Sequence, residues 1–439
     1  MLTLSRVAHA LLRTAAPVLL ASTVITATSS LATAADTAST STPHIPHLER
    51  IDPLYRPYAA MMIGDYSNDE AVAKANAEFA KVAHFTTIVP ELIKVKNEQD
   101  GFEVEVAIYK PQKCEQNTPK CPVFAYDPQY TKADPSASTH PLVLYSHAGG
   151  FLVRANYYLA DNYQMISNTL QAVVAVPRYR LSSEAPFPAP IIDNYSALSY
   201  LIEHAADYDI DPEQVLLMGT SVGGGMSVSL SLYNRDHKNY PIKGQALIYP
   251  MLDYHTGNPD YGATSEYIGQ VAWDAKSNAY AWEKYGDATA IAALSGHTLP
   301  DEHGKSNDIT MMVAIPPHLQ ALKNFHHEHQ KDSAIKGEPD YFGYYSPSMA
   351  KDLSSLPPAF INVGDIDLFA PESLKFASRM LESGNTVEMH LVPGVYHLFE
   401  FLDPNAAPSQ QYYERLFYFM DQRLMAPQGQ VWPEAKPNK

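Results

Sequence analysis

From about residue 92 to residue 425, short apolar runs alternate with amphipathic stretches. The runs are PLVLYSH, AVVAVPRY, QVLLMG, GQALIYPML, PAFINVGD and TVEMHLVPG, each of a length and continuity that suits a strand buried on both faces. Between them, IIDNYSALSYLIEHA (191–205) and APESLKFASRMLES (370–383) repeat apolar residues at helical spacing. This alternation predicts an α/β fold, a mostly parallel central sheet with helices on both faces. Functional groups are then expected at the carboxyl ends of the strands.

Two regions depart from that rhythm. GFEVEVAIYKP (101–111) alternates apolar and polar positions, as a half-buried antiparallel strand does. From 254 to 349 no strand run appears, and the part beginning GHTLPDEHGKSND is polar, His-rich and irregular, which predicts a cap or lid rather than a piece of the sheet. Upstream, DEAVAKANAEFAKVAHF (69–85) has helical spacing. The organisation read from the pattern is a leader and N-terminal helical cap segment over 35–91, a main domain over 92–425 containing the 254–349 insertion, and a disordered Pro-rich tail over 426–439.

The first 34 residues carry Arg6 and Arg13, then AAPVLLASTVI, then Ala32-Thr33-Ala34. A positive start, an apolar middle and a small-residue cleavage site make a signal peptide, so the chain is expected to be secreted or periplasmic, with no integral membrane span once processed. The composition, 46% hydrophobic and 18% charged, is that of a globular chain, and the formal net charge is −17. Acidic surfaces repel phosphate backbones and no basic patch occurs, which argues against nucleic acid as a partner. Export also bears on the two cysteines, Cys114 and Cys121, which share a short polar loop. A disulfide between them is expected, worth roughly 2 to 3 kcal/mol through restriction of the unfolded chain.

The strongest local chemistry lies in QVLLMGTSVGGG, where Gly219-Thr220-Ser221-Val222-Gly223 follows a strand and precedes a helical run. This is a G-x-S-x-G nucleophile elbow, with Ser221 on the strand-to-helix turn. A serine hydroxyl needs a base, and the base needs an orienting acid. Downstream, INVGDIDLF offers Asp365 and Asp367, and LVPGVYHLF offers His397, both past strand runs and in the order serine, acid, histidine. Ahead of the elbow, His147-Ala148-Gly149-Gly150 ends another strand. Glycines there let backbone N–H groups approach a developing oxyanion without a Cβ in the way. Gly149, Gly150 and the Val222 N–H are the candidate oxyanion hole.

With these motifs in order, the sequence resembles the hormone-sensitive-lipase-like esterases of the α/β-hydrolase fold. HAGGF is similar to that family's oxyanion loop, YRLSSEAPFPAPIIDNYSAL (179–198) to its YRLAPExxFPA segment, and GTSVGG to its elbow; SPSMAKDLSSLPPAFI, DIDLFAPES and PGVYHLF match further on. The resemblance implies Ser221 as nucleophile, His397 as base, Asp367 as the acid, a small-molecule ester as substrate and no cofactor. Three departures stand out: Ala148 replaces the first glycine of the oxyanion motif, Leu368 stands where the acid loop usually has Pro, and an insertion runs from about 287 to 340.

Histidines in the insertion, His326, His327 and His329 beside Glu328, with Asp301 to His303, invite a metal reading. Adjacent histidines do not share a helix face as an i, i+4 pair does, so no metal is expected. The function expected is a serine carboxylic-ester hydrolase on short- to medium-chain acyl esters, of open oligomeric state. Its rivals are a prolyl-oligopeptidase-type serine peptidase, which would need a propeller that is not evident here, and a catalytically weak hydrolase-like ligand-binding protein.

Overall fold

The apolar runs become strands of one eight-stranded sheet: β1 (Glu91–Lys96), β2 (Glu103–Tyr109), β3 (His140–Ser146), β4 (Val173–Pro177), β5 (Ile210–Thr220), β6 (Gly244–Ile248), β7 (Ala359–Gly364) and β8 (Val387–Val392). Their spatial order is β1-β2-β4-β3-β5-β6-β7-β8. β2 runs antiparallel to both β1 and β4, and every later pairing is parallel. The computed structural model describes residues 44–82, 88–112, 118, 121–124, 138–154, 159–258, 265–297, 299–300, 306–307, 313–328 and 339–424. The expected signal peptide, the tail from 426, Cys114, Asp301 to His303 and His329 lie outside the described residues.

Helices close both faces of this sheet and make up much of the insertion. They are α1 (Asp69–Val82), α2 (Ala160–Leu170), α3 (Ala189–Glu203), α4 (Val222–Asp236), α5 (Ala275–Tyr285), α6 (Ala288–Leu294), α7 (Pro317–Glu328), α8 (Tyr341–Tyr345), α9 (Ala370–Glu382) and α10 (Ala407–Leu424). Successive strand residues point to opposite faces, so Leu142 and Leu144 of β3 enter the core shared with α3 and α4, while Val143 and Tyr145 enter the one shared with α2 and α10. Burial on both sides explains why these strands read as continuous apolar runs. β1 lies at an open edge and is mostly exposed. Its sequence ELIKVK carries two lysines, as edge strands commonly do, and lacks the signal that marks the interior strands.

The insertion is more ordered than its composition predicts. Its polar part contains α7, whose Leu319 and Leu322 are buried in the core shared with α3 and α4. Two buried leucines three residues apart, in a polar background, leave too weak a stripe for the pattern to show. Asp274, Asp287 and Asp340 cap α5, α6 and α8 by accepting backbone N–H groups of their first turns. α8 docks on the helix behind the elbow, where the Tyr344 hydroxyl donates to Asp236 Oδ2 at 2.7 Å.

The N-terminal segment straps across the loops at the carboxyl edge. Asp52 N–H donates to Gly394 O at 2.8 Å, the Tyr396 hydroxyl donates to Tyr55 O at 3.0 Å, and Ala272 N–H donates to Met62 O at 3.0 Å. α1 reaches the loop after β3 through Asn76, which donates to Leu152 O at 2.9 Å and accepts from Arg154 N–H at 3.0 Å.

Candidate active site

Ser221 occupies the turn between β5 and α4 with φ 60 and ψ −123, a conformation outside the favoured regions for a side-chain-bearing residue and held by its surroundings. Its N–H donates to Ile248 O at 2.9 Å. The turn closes only because its neighbours are bare: a Cβ on Gly219 would sit 2.0 Å from Gly223 O, and one on Gly223 1.9 Å from Ser146 O. The second contact also fixes where the elbow lies, directly against the end of β3.

His397 sits just past β8, with Nε2 2.9 Å from Ser221 Oγ and Nδ1 2.8 Å from Asp367 Oδ2. All three side chains are buried. The carboxylate accepts a hydrogen bond from Nδ1–H, and that tautomer leaves the Nε2 lone pair facing the hydroxyl, an arrangement that suits a general base. Asp367 is held in turn, since its Oδ1 accepts Phe369 N–H at 2.9 Å. The imidazole ring lies between Tyr249, centroid 4.3 Å away, and the edge-on Phe369 at 5.4 Å.

Asp365, the rival acid, has a different partner. Its Oδ1 accepts Gly394 N–H at 2.7 Å and its Oδ2 lies 4.0 Å from Arg50 Nη2. It braces the turn three residues before His397 and does not reach the imidazole.

After β3, Gly149 and Gly150 take φ +126 and +57. Leu152 and Val153 N–H groups both donate to Gly149 O, at 2.9 and 2.8 Å, and tighten the loop. Val222 is the first residue of α4, where a helix leaves its N–H groups unpaired. Among the described residues, the N–H groups of Gly149, Gly150 and Val222 have no protein acceptor, so three donors remain near the elbow for a ligand oxygen. Ala148 is buried in this loop, and the motif's substitution there leaves the two later glycines in place.

His147 looks like a second base and is not one. Its ring stacks on Tyr179 at 4.1 Å, Tyr179 donates its hydroxyl to His147 O at 2.8 Å, and burial pushes the imidazole pKa down to about 3. It is a neutral, fully buried packing group at the end of β3.

Sequence reasoning missed two buried carboxyls behind the site. Glu372 accepts Leu252 N–H at 2.6 Å and the Thr256 hydroxyl, and burial first, then Asp253, pushes its carboxyl well above the usual range. Glu400 accepts the Tyr249 hydroxyl at 2.5 Å, and burial raises its pKa to about 7. Its place three residues after His397, followed by more apolar chain, was the one available signal. In the insertion, His326 is buried edge-on to His237 at 5.8 Å, and among the described residues no group of three His, Cys, Asp or Glu side chains could hold a metal.

Comparison with known proteins agrees with this geometry. A family model described as the alpha/beta hydrolase fold matches residues 143–314 and 329–401, which include Ser221, Asp367 and His397. Carboxylesterase NlhH of Mycobacterium tuberculosis is 26% identical over 263 residues, covering 58% of this chain and 66% of its own length. The arylacetamide deacetylase of Bos taurus is 24% identical over 343 residues, 74% of this chain and 79% of its own. The chain spans a little under two thirds of the length of the first curated relatives, between 62% and 66%. Among solved structures, a bacterial heroin esterase superposes with a TM-score of 0.64 at 22% identity, covering 86% of this chain and 99% of that one. The esterase LipW of Mycobacterium marinum gives 0.62 at 20%, covering 87% and 98%. Both share the fold. Family match, strand order and the elbow with its histidine and acid agree: the chain belongs to the hormone-sensitive-lipase-like family of the α/β-hydrolase fold.

Proposed function

We propose that the chain is a serine carboxylic-ester hydrolase that works through an acyl-enzyme. The observation that carries the reading is the continuous path from Asp367 through His397 to Ser221, with both bonds under 3 Å, at a turn bordered by free backbone donors. Ser221 Oγ attacks the ester carbonyl as His397 Nε2 takes its proton. The negative charge that forms on the carbonyl oxygen is met by N–H groups of Gly149, Gly150 and Val222. His397 then returns the proton to the departing alcohol, and Asp367 stabilises the imidazolium without itself being protonated. Water repeats the sequence on the acyl-enzyme with the same base.

Short- to medium-chain acyl esters are the favoured class, as the resemblance to the hormone-sensitive-lipase-like esterases implies. The names of the relatives, carboxylesterase and arylacetamide deacetylase, put aryl esters and aryl amides on the test panel. Export through a signal peptide ending near Ala34, and a Cys114–Cys121 disulfide, belong to the same proposal. Mass spectrometry of the protein from the producing cell's exterior or periplasm, with and without reduction before alkylation, reads both.

Purified protein assayed on p-nitrophenyl esters, aryl amides and aminoacyl amides tests the activity. Ester turnover with organophosphate labelling at Ser221 is expected. A preference for aminoacyl amides would favour the peptidase alternative, and binding without turnover of anything would favour the ligand-binding one. A covalent label on another serine would remove the assignment.

A further inference from the structure

Trp273 closes against the oxyanion loop in a way that the reaction itself does not require. A Cβ placed on Gly150 would lie 2.2 Å from Trp273 Cη2 and 2.7 Å from Cζ2, so the six-membered edge of the indole rests on the bare α-carbon of one of the proposed oxyanion donors. A carbonyl oxygen within hydrogen-bond reach of that N–H, about 3 Å, comes to within a few ångströms of the same ring. The indole is anchored from several sides. Its Nε1–H donates to Asn278 Oδ1 at 3.0 Å, and Asn278 Nδ2 donates to Thr256 O at 2.5 Å. The Thr256 hydroxyl donates to Glu372, on the helix after the catalytic acid. Tyr66, from the N-terminal segment, lies against the ring with centroids 5.4 Å apart, and its N–H donates to Ser277 Oγ at 3.2 Å. The residue before it, Ala272, is held at φ +68 by its N–H bond to Met62 O, a left-handed conformation that costs a side-chain-bearing residue and is kept only where the surroundings impose it.

We propose that Trp273 is the specificity-determining wall of the ester site, limiting the size of the substrate group that lies beside Gly150. This rests on the ester-hydrolase reading. Any buried indole needs a partner for its Nε1, so what separates Trp273 from a residue that only fills the core is its contact with a glycine of the oxyanion loop. A wall locked by Asn278 and Tyr66 cannot swing aside, so larger groups are excluded rather than accommodated.

The test compares wild type, Trp273→Ala, Trp273→Leu and Trp273→Phe on two ester series. One lengthens the acyl chain from acetate to decanoate with p-nitrophenol constant, and the other enlarges the alcohol with acetate constant. Removing the wall is expected to raise the ratio of kcat/KM for large over small substrates by tenfold or more in one series, the magnitude expected when a few methylenes gain or lose a pocket, with Trp273→Phe within about threefold of wild type. The series that responds identifies which side of the ester the indole faces. Should Trp273→Ala fail to fold by circular dichroism, Trp273→Leu carries the comparison. Unchanged ratios in both series in a folded, active variant overturn the proposal. Wild type inactive on every ester would instead overturn the hydrolase reading beneath it.

Discussion

His397 Nδ1 lies 2.8 Å from Asp367 Oδ2, whereas Asp365, two residues earlier, places its Oδ1 2.7 Å from Gly394 N–H. In the proposed mechanism one carboxylate orients the base, and the other shapes the turn three residues ahead of it. Asp367→Asn should therefore lower kcat by about 10² to 10⁴ with little change in KM, because the amide misplaces the imidazole proton while keeping the geometry. Asp365→Asn can still accept from Gly394 and should cost less than about tenfold. Steady-state kinetics of both variants on one ester decide it; a larger loss at Asp365 would reverse the two roles.

Legibility followed the physics of each residue. Ser221, Asp367 and His397 could be read because an elbow, an acid and a histidine must follow strand ends in a fixed order, and strands buried on both faces announce themselves as apolar runs. The choice of Asp367 over Asp365 came from family resemblance; the physical reason, a turn that aims one carboxylate at the ring and the other at Gly394, exists only in three dimensions. Trp273 and Glu400 stayed invisible because their partners, Gly150 and Tyr249, are 123 and 151 residues away. β1 and α7 were missed for a different reason: an open edge and a two-leucine stripe bury too little to impose a period on the sequence.

Ser221→Ala should abolish ester hydrolysis and leave folding intact, since the hydroxyl is the proposed attacking atom and its removal opens little space. Circular dichroism and turnover on p-nitrophenyl acetate measure the two halves. Residual turnover at the wild-type rate would place the nucleophile elsewhere.

Gly150→Ala should lower kcat by about 10² or more, because the new methyl meets the Trp273 ring at 2.2 Å and pushes a proposed oxyanion donor out of line. The backbone there, at φ +57, costs an alanine only about 1 to 2 kcal/mol, so the clash is the larger effect. Combining Gly150→Ala with Trp273→Ala should recover part of the loss. No recovery would mean that backbone conformation, rather than the indole, excludes the methyl.

Arg180 holds Asp193, which has no exposed side-chain surface, through Nε at 2.9 Å and Nη2 at 2.8 Å. Asn97 Nδ2 and Arg180 N–H complete the carboxylate's partners at 2.7 and 2.9 Å. Arg180→Ala leaves a buried carboxylate without its counter-charge, and the expected loss is about 3 to 5 kcal/mol of stability. Urea unfolding gives the value directly, and a loss under about 1 kcal/mol would show that Asn97 and the backbone suffice.

Glu400 supplies a pH signature. Burial, the largest cause, raises its carboxyl from 4.5 to about 7, while the Tyr249 hydroxyl bond pulls the other way. Below the unfolded value both folded and unfolded chains hold the proton. Between about 4.5 and 7 the folded chain keeps a proton that the unfolded chain has lost, so this group's contribution to stability falls as pH rises and levels off above the folded value. Glu400→Gln keeps an acceptor for Tyr249 and removes the ionisation. The variant's stability relative to wild type should therefore climb across that window, by on the order of 3 kcal/mol, and stay flat above it. Asp367 is the charge that opposes ionisation of Glu400, so the climb should shrink in an Asp367→Asn background. Thermal unfolding of the four proteins from pH 4 to pH 9 tests both statements, and a stability difference independent of pH would mean that Glu400 does not change its protonation in the folded chain over that range.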